Sequence, residues 1–176
     1  MSIELLGKRI LTVYDHYVYR LQYEAMEQTL CERLIPFQVN SSTYEEVQAS
    51  TAIRRMMAKQ PNMIYGWGFR NDDSDVVGHL YLMKRGGNEV LYRIRSVEAY
   101  VFAVRVFDDF RGKRYAGEMI TWLMNSLHAE GIDEMWLTVK KENYPAIRAY
   151  ERLGFERVGS SRFIRFLGIN IPYRII

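Results

Sequence analysis

The stretch from Val97 to Ile120, VEAYVFAVRVFDDFRGKRYAGEMI, constrains the fold more than any other. β-Branched or aromatic residues stand at most positions from Val97 to Phe107, which predicts a strand. Asp108-Asp109-Phe110 then turns the chain, and Arg111-Gly112-Lys113-Arg114-Tyr115-Ala116 opens a helix. That helix carries Ala116, Met119, Ile120, Leu123, Met124 and Leu127 at helical spacing. Gly131 is placed to stop it in the left-handed conformation that favours glycine. A strand, a basic turn and a helix start in this order suit a phosphate. The first N–H groups of a helix have no partner inside it, and the helix dipole there favours anions.

The same residues resemble the acyl-CoA-binding core of the GCN5-related N-acetyltransferase (GNAT) family. The family's loop reads Arg or Gln, two residues, Gly, one residue, Gly or Ala. Arg111 and Ala116 match its outer positions, Gly112 follows the arginine, and Arg114 stands at the central glycine position. Helical backbone angles would accommodate that arginine with its side chain swung outward, towards phosphate. A later family element is similar to NYPAIRAYERLGFERVG, from Asn143 to Gly159. The resemblance covers roughly the half of the chain from Val97 onward.

The resemblance implies an α+β fold with a central mixed, mostly antiparallel sheet. A parallel strand pair in it would splay around acyl-CoA, with helices on both faces. It implies acetyl-CoA as co-substrate, no metal, and an amine-bearing acceptor. Arg111, Gly112, Lys113, Arg114, Tyr115 and Ala116 would hold the pyrophosphate, and the backbone of Val104 to Val106 would pair with the pantetheine arm. Asn143 would cap its own helix, contact the cofactor, or both. Glu98 corresponds to a carboxylate that often acts as base, commonly through water; the alternative is a strand-end glutamate facing solvent. Tyr150 matches a tyrosine near the coenzyme sulfur, where a phenol can protonate a thiolate; the alternative is a core tyrosine.

Size and composition agree with one domain over residues 1–176. A chain of this length buries about 70% of the surface it exposes when unfolded. Hydrophobic residues make up 48% and charged residues 26%, which excludes a disordered chain. The net charge of +3 is too mild for a nucleic-acid binder, although Arg93, Arg95, Arg105, Arg162 and Arg165 form a possible basic face. The single cysteine, Cys31, excludes an internal disulfide and a cysteine zinc site, and reads as a structural thiol in a helix. No apolar run reaches membrane-spanning length, and the N-terminus has no signal-peptide core, so the expectation is a cytoplasmic protein. The apolar run Ile169–Ile176 suggests a homodimer or, alternatively, an edge strand of its own sheet.

Elsewhere the sequence predicts a strand over Arg9–Tyr14 and a helix from Asp15 to about Leu34, ended by Pro36. Phe37–Ser42 reads as a loop, and Ser42 or Thr43 as the cap of a helix reaching about Lys59. Met63–Arg70 and Val76–Lys84 read as strands joined by the turn Asn71–Asp75. That turn is a solvated loop rather than a calcium site, since the calcium-loop glycine and terminal acid are missing. Tyr65, Trp67 and Phe69 share one face and read as core, with a substrate wall as the alternative. His79 reads as a packed or edge histidine. Gly86-Gly87-Asn88 is a turn, and Val90–Arg95 is a separate strand or an extension of the next. Glu134–Lys140 is a buried parallel strand. Asn143 caps a helix burying Ala146, Ile147, Ala149, Tyr150 and Leu153, which Gly154 ends. Ser160-Ser161 is a turn before a last strand interrupted near Gly168, with Pro172 on an edge.

The favoured function is an N-acetyltransferase acting by direct attack of a primary amine on acetyl-CoA. The alternative is a non-catalytic acyl-CoA-binding or regulatory module on the same fold.

Overall fold

The computed structural model describes residues 2–5, 8–25, 33–84, 88–89, 92–93, 98–166 and 169–175, with side chains over 14–24, 33–84 and 98–162. The strands are β1 Ser2–Leu5, β2 Lys8–Gln22, β3 Ile35–Gln38, β4 Ile64–Arg70, β5 Val76–Lys84, the two-residue pair β6 Asn88–Glu89 and β7 Tyr92–Arg93, β8 Glu98–Val106, β9 Glu134–Lys140, β10 Glu156–Phe166 and β11 Ile169–Ile175. The helices are α1 Thr51–Lys59, α2 Tyr115–Ala129 and α3 Tyr144–Arg152. Among the described residues, nine strands form one sheet in the order β11-β10-β2-β9-β8-β5-β4-β3, with β1 on β2. β8 and β9 are parallel and joined through α2, and the other pairings in the sheet are antiparallel. This is the mixed, mostly antiparallel sheet with one central parallel pair that the sequence led us to expect.

Helices cover both faces. α2 lays Met119, Ile120, Leu123, Met124 and Leu127 on Leu80, Leu82, Val101 and Leu137. Each such side chain, once fully buried, contributes about 1.5–3 kcal/mol. α3 joins this face through Tyr150 and, half-buried, Ala146, Ile147 and Leu153. The expected burial of α3 is therefore too deep: Tyr150 alone in that helix is buried. On the opposite face α1 and the preceding turns cover Tyr81, Met83 and Tyr100. Tyr65, Trp67 and Phe69 belong to the α2 face, where Trp67 and Phe69 meet the Trp122 ring edge-on at 5.7 and 5.4 Å. The aromatic row is core.

Four sequence expectations are corrected. Asp15–Gln22 is strand, not helix. Tyr17 and Leu21 satisfy a spacing of two as well as of four, so they do not discriminate. Tyr19 does, because it is fully buried beside Leu21 in the strand. The segment is paired on both sides, to β9 and to β10, and that pairing outweighs local helical preference. Second, Ile35–Gln38 is an edge strand on β4, which tolerates Pro36. Third, helix α1 starts late. Ser50 is its cap, accepting from the Ile53 amide at 3.3 Å, because residues 41–48 form turns that end at Gln48 with φ of +51°. Glu45 and Glu46, which a cap at Ser42 or Thr43 would place in the first helical turn, pair instead with Arg54 and Arg70.

Fourth, Ser160-Ser161 continues β10 rather than turning, paired to Tyr17 and His16. A separate bulge lies at Val158, an extra residue between Arg157 and Gly159, and the expected last strand is instead the end of β10 followed by β11, paired antiparallel to it. β11 is an edge strand on β10 and holds Pro172, as expected. Cys31, Gly86, Gly87 and Gly168 lie outside the described residues, as do Val90, Leu91, Ile94 and Arg95. Among the described residues no helix is long and apolar enough to cross a membrane.

Candidate active site

The site begins where the parallel pair stops. β8 and β9 pair from Glu98 opposite Glu134 to Val101 opposite Leu137. Both strands run on, to Val106 and Lys140, with no further pairing to each other among the described residues. The cause lies in β8. Its register with β5 steps from Phe102 opposite Tyr81 to Arg105 opposite His79, so Ala103 and Val104 together face Leu80. Ala103 carries a φ of +49°. Two residues against one is a β-bulge, and a bulge bends its strand. The bend coincides with the end of the pairing, leaving an edge along Val104–Val106 that β9 does not occupy. On the α1 face, the Tyr100 hydroxyl and Thr138 Oγ1, 2.7 Å apart, bridge the two strands at this point.

β8 leads directly into the basic loop. Phe107 donates its N–H to Val77 O at 2.9 Å, and Asp108–Phe110 makes a short helical turn. Arg111 pairs with Asp108 at 2.7 Å, and Lys113 Nζ lies 5.5 Å from the Phe110 ring centre. Gly112 has φ of +80°, and a side chain there would meet nothing within 4 Å. Arg114 then turns left-handed, with φ of +66° and ψ of 11°, and α2 begins at Tyr115. The expected helical backbone at Arg114 is corrected. The position demands the conformation that glycine adopts freely, which costs an arginine roughly 1–2 kcal/mol. Residues 111–114 are exposed and set three cations at the start of the 15-residue α2, whose first amides have no partner within the helix. These features fit a diphosphate.

α3 brings the third component. Asn143 Oδ1 accepts from the Ala146 amide at 3.4 Å, so Asn143 caps its helix as expected. Leu153 packs beside Gly117, where a Cβ would stand 3.7 Å from Leu153 Cδ2, and this seats α3 against the start of α2. Tyr150 is buried, its ring 5.6 Å from that of Phe155. It shares one apolar cluster with Tyr115, Val104 and Val106. Burial pushes its phenol up to about 12, so the hydroxyl keeps its proton at neutral pH.

The fold thus gathers Val104, Val106, the loop Arg111–Ala116 and Tyr150 at one end of the parallel pair. It does not bring Glu98 to them. Glu98 is fully buried at the paired end, five residues before the bulge at Ala103. At strand rise this is roughly 15 Å along β8. Two residues escaped the sequence reading. Gly78 sits opposite Val106, and an isolated glycine in the apolar run VVGHLYLMK was its signal. Arg33 contacts the loop from a distant segment, and no sequence signal marks it.

Comparison with known proteins agrees with this geometry. The "Acetyltransferase (GNAT) family" description matches residues 23–155. The chain is 36% identical over 61 residues to a "[Ribosomal protein bS18]-alanine N-acetyltransferase" of Haemophilus ducreyi, covering 35% of this chain and 42% of that protein. It is 29% identical over 89 residues to an "N-alpha-acetyltransferase" of Saccharolobus solfataricus, covering 49% and 53%. These matches thus span about half, or less, of the curated relatives' length. In fold it is similar to a GCN5-related N-acetyltransferase from Sphaerobacter thermophilus, with a TM-score of 0.61 at 18% identity over 90% of this chain and 54% of that one. With the splayed parallel pair, the loop and α3 all inside the matched span, the chain belongs to the GNAT acetyltransferase family.

Proposed function

We propose that this chain transfers an acetyl group from acetyl-CoA to a primary amine by direct attack in a ternary complex. One observation carries the reading: a parallel strand pair that parts at a bulge and runs into a left-handed, basic loop at a helix N-terminus. Acetyl-CoA supplies an acetyl group activated as a thioester. The amides of Gly112–Ala116, with Arg111, Lys113 and Arg114, hold the diphosphate. The free backbone edge of Val104–Val106 orients the pantetheine amides, and an N–H of that edge faces the carbonyl oxygen where charge develops. The nitrogen–carbon bond forms as the carbon–sulfur bond breaks. The amine's proton leaves to a base, and Tyr150 gives its proton to the departing sulfur.

Glu98 is our candidate base, and its depth requires that the proton reach it through a hydrogen-bonded chain. The same depth is the observation that favours a second reading, an acyl-CoA-binding module without turnover. Relatives are named for an alanine of a ribosomal protein and for Nα-acetylation, so peptide α-amino groups head the acceptor panel. The test is a screen of peptides, lysine side chains, polyamines and amino sugars with acetyl-CoA, reading thiol release, beside calorimetry with coenzyme A. Acceptor-dependent thiol release supports transfer. Binding with no release from any amine supports the module. No binding at millimolar coenzyme A defeats both.

A further inference from the structure

Arg33 stands just before β3, far in sequence from the basic loop, yet its guanidinium meets that loop and the first turn of α2 at three points. It donates to the Lys113 carbonyl oxygen at 3.4 Å. It pairs with the Glu118 carboxylate in the first turn of α2. It lies 5.5 Å from the centre of the Tyr115 ring, within cation–π range. The three points bracket Arg114: one residue before it, one after it, and one helical turn on.

We propose that Arg33 is a positioning residue for cofactor binding, clamping the loop so that Arg114 holds its left-handed conformation. The proposal rests on the reading of Arg111–Ala116 as the phosphate seat. Two physical needs meet in it. A side-chain-bearing residue persists at positive φ only where its surroundings fix it, and a planar guanidinium with several donors can fix a carbonyl, a carboxylate and a ring together. Glu118 also places negative charge at the helix start, where a diphosphate would be repelled. Pairing with Arg33 offsets that charge beside the seat. Arg33 therefore acts through the loop's shape and local charge, without a role in the chemistry.

The test uses the full chain and coenzyme A. Arg33→Met should weaken coenzyme A binding by about tenfold, the equivalent of one charge-assisted hydrogen bond, and raise the KM for acetyl-CoA while kcat holds. Arg33→Lys keeps the charge without the fork and should recover only part of the affinity. In the cofactor-free protein, amide hydrogen exchange over residues 112–116 should quicken in Arg33→Met and in Glu118→Gln. In an Arg114→Gly background, where the loop no longer needs holding, Arg33→Met should cost much less affinity. Unchanged affinity and exchange in Arg33→Met overturn the clamp. So does full recovery by lysine, or an equal loss in both backgrounds, either of which would mean that Arg33 acts by charge alone or by touching the cofactor and not by holding the loop at Arg114. A wild-type chain that binds no coenzyme A removes the phosphate-seat reading and this proposal with it. Binding with Arg33 indifferent removes the clamp alone.

Discussion

Gly78 and Arg105 approach so closely that a Cβ on Gly78 would stand 2.2 Å from the Arg105 carbonyl oxygen. The next nearest atom, Val106 Cα, would be 3.1 Å away. Both are backbone, so no side chain can move to make room. The contact fixes the arm of β8 beyond the bulge against β5, which places the edge proposed to meet the pantetheine.

Gly78→Ala should therefore push that arm off β5. The cost should be roughly 1–3 kcal/mol, as for other overpacking. Denaturant unfolding reads the stability, and the KM for acetyl-CoA should rise in the fraction that folds. An alanine variant with wild-type stability and KM would show that this contact does not set the edge.

Arg114→Gly should relieve backbone strain at a φ of +66°. Strain relief of roughly 1–2 kcal/mol is partly offset by the entropy glycine adds to the unfolded chain. The expected net gain is a rise in melting temperature of about 2–4 °C. Coenzyme A affinity reports separately on the lost guanidinium.

Tyr150→Phe keeps the ring in its apolar cluster and removes only the proton donor. Coenzyme A affinity and melting temperature should change little, while kcat falls by roughly 10²–10⁴-fold. Glu98→Gln should slow the reaction most at low pH, where an amine is hardest to deprotonate. If Glu98→Gln turns over at the wild-type rate across the pH range, the base lies elsewhere and the Tyr150 assignment survives.

His79 is packed between Tyr81 and Phe107, its ring 5.2 and 5.8 Å from theirs. Burial, only partly opposed by a hydrogen bond to the Val47 backbone, pushes its imidazole down to about 4. Between pH 6.5 and 4 the unfolded chain binds a proton that the folded chain refuses, so stability rises with pH across that window and is lost on acidification. The loss should reach roughly 3 kcal/mol at its low end. Urea unfolding at pH 7 and pH 5 should show it, and His79→Gln should flatten the difference. An unchanged pH dependence in that variant would remove His79 as the source.

Where local pattern and tertiary pairing agreed, the elements were legible. Val76–Lys84 and Glu134–Lys140 are strands within the bounds their apolar runs imply. α2 follows its helical spacing, Gly131 stops it at φ of +76°, and Asn143 caps α3. Where two periods shared the same letters the reading failed, as at Tyr17 and Leu21, because partners on both edges of β2 decided the matter.

The sequence by itself determined the order strand, basic loop, helix, strand, capped helix, because β-branching, helical spacing and caps act between near neighbours in the chain. Its resemblance to the family also put forward the loop and Tyr150 as candidate site residues. Only the tertiary structure decided where the parallel pair parts, since the bulge at Ala103 exists only against Leu80 of another strand. Only the tertiary structure turned Arg114 left-handed and brought Arg33 to its neighbours Lys113, Tyr115 and Glu118. It also sank Glu98 at the paired end, away from the opening that its place in the sequence suggests. Each of these depends on contacts between residues distant in the chain, which no local pattern encodes.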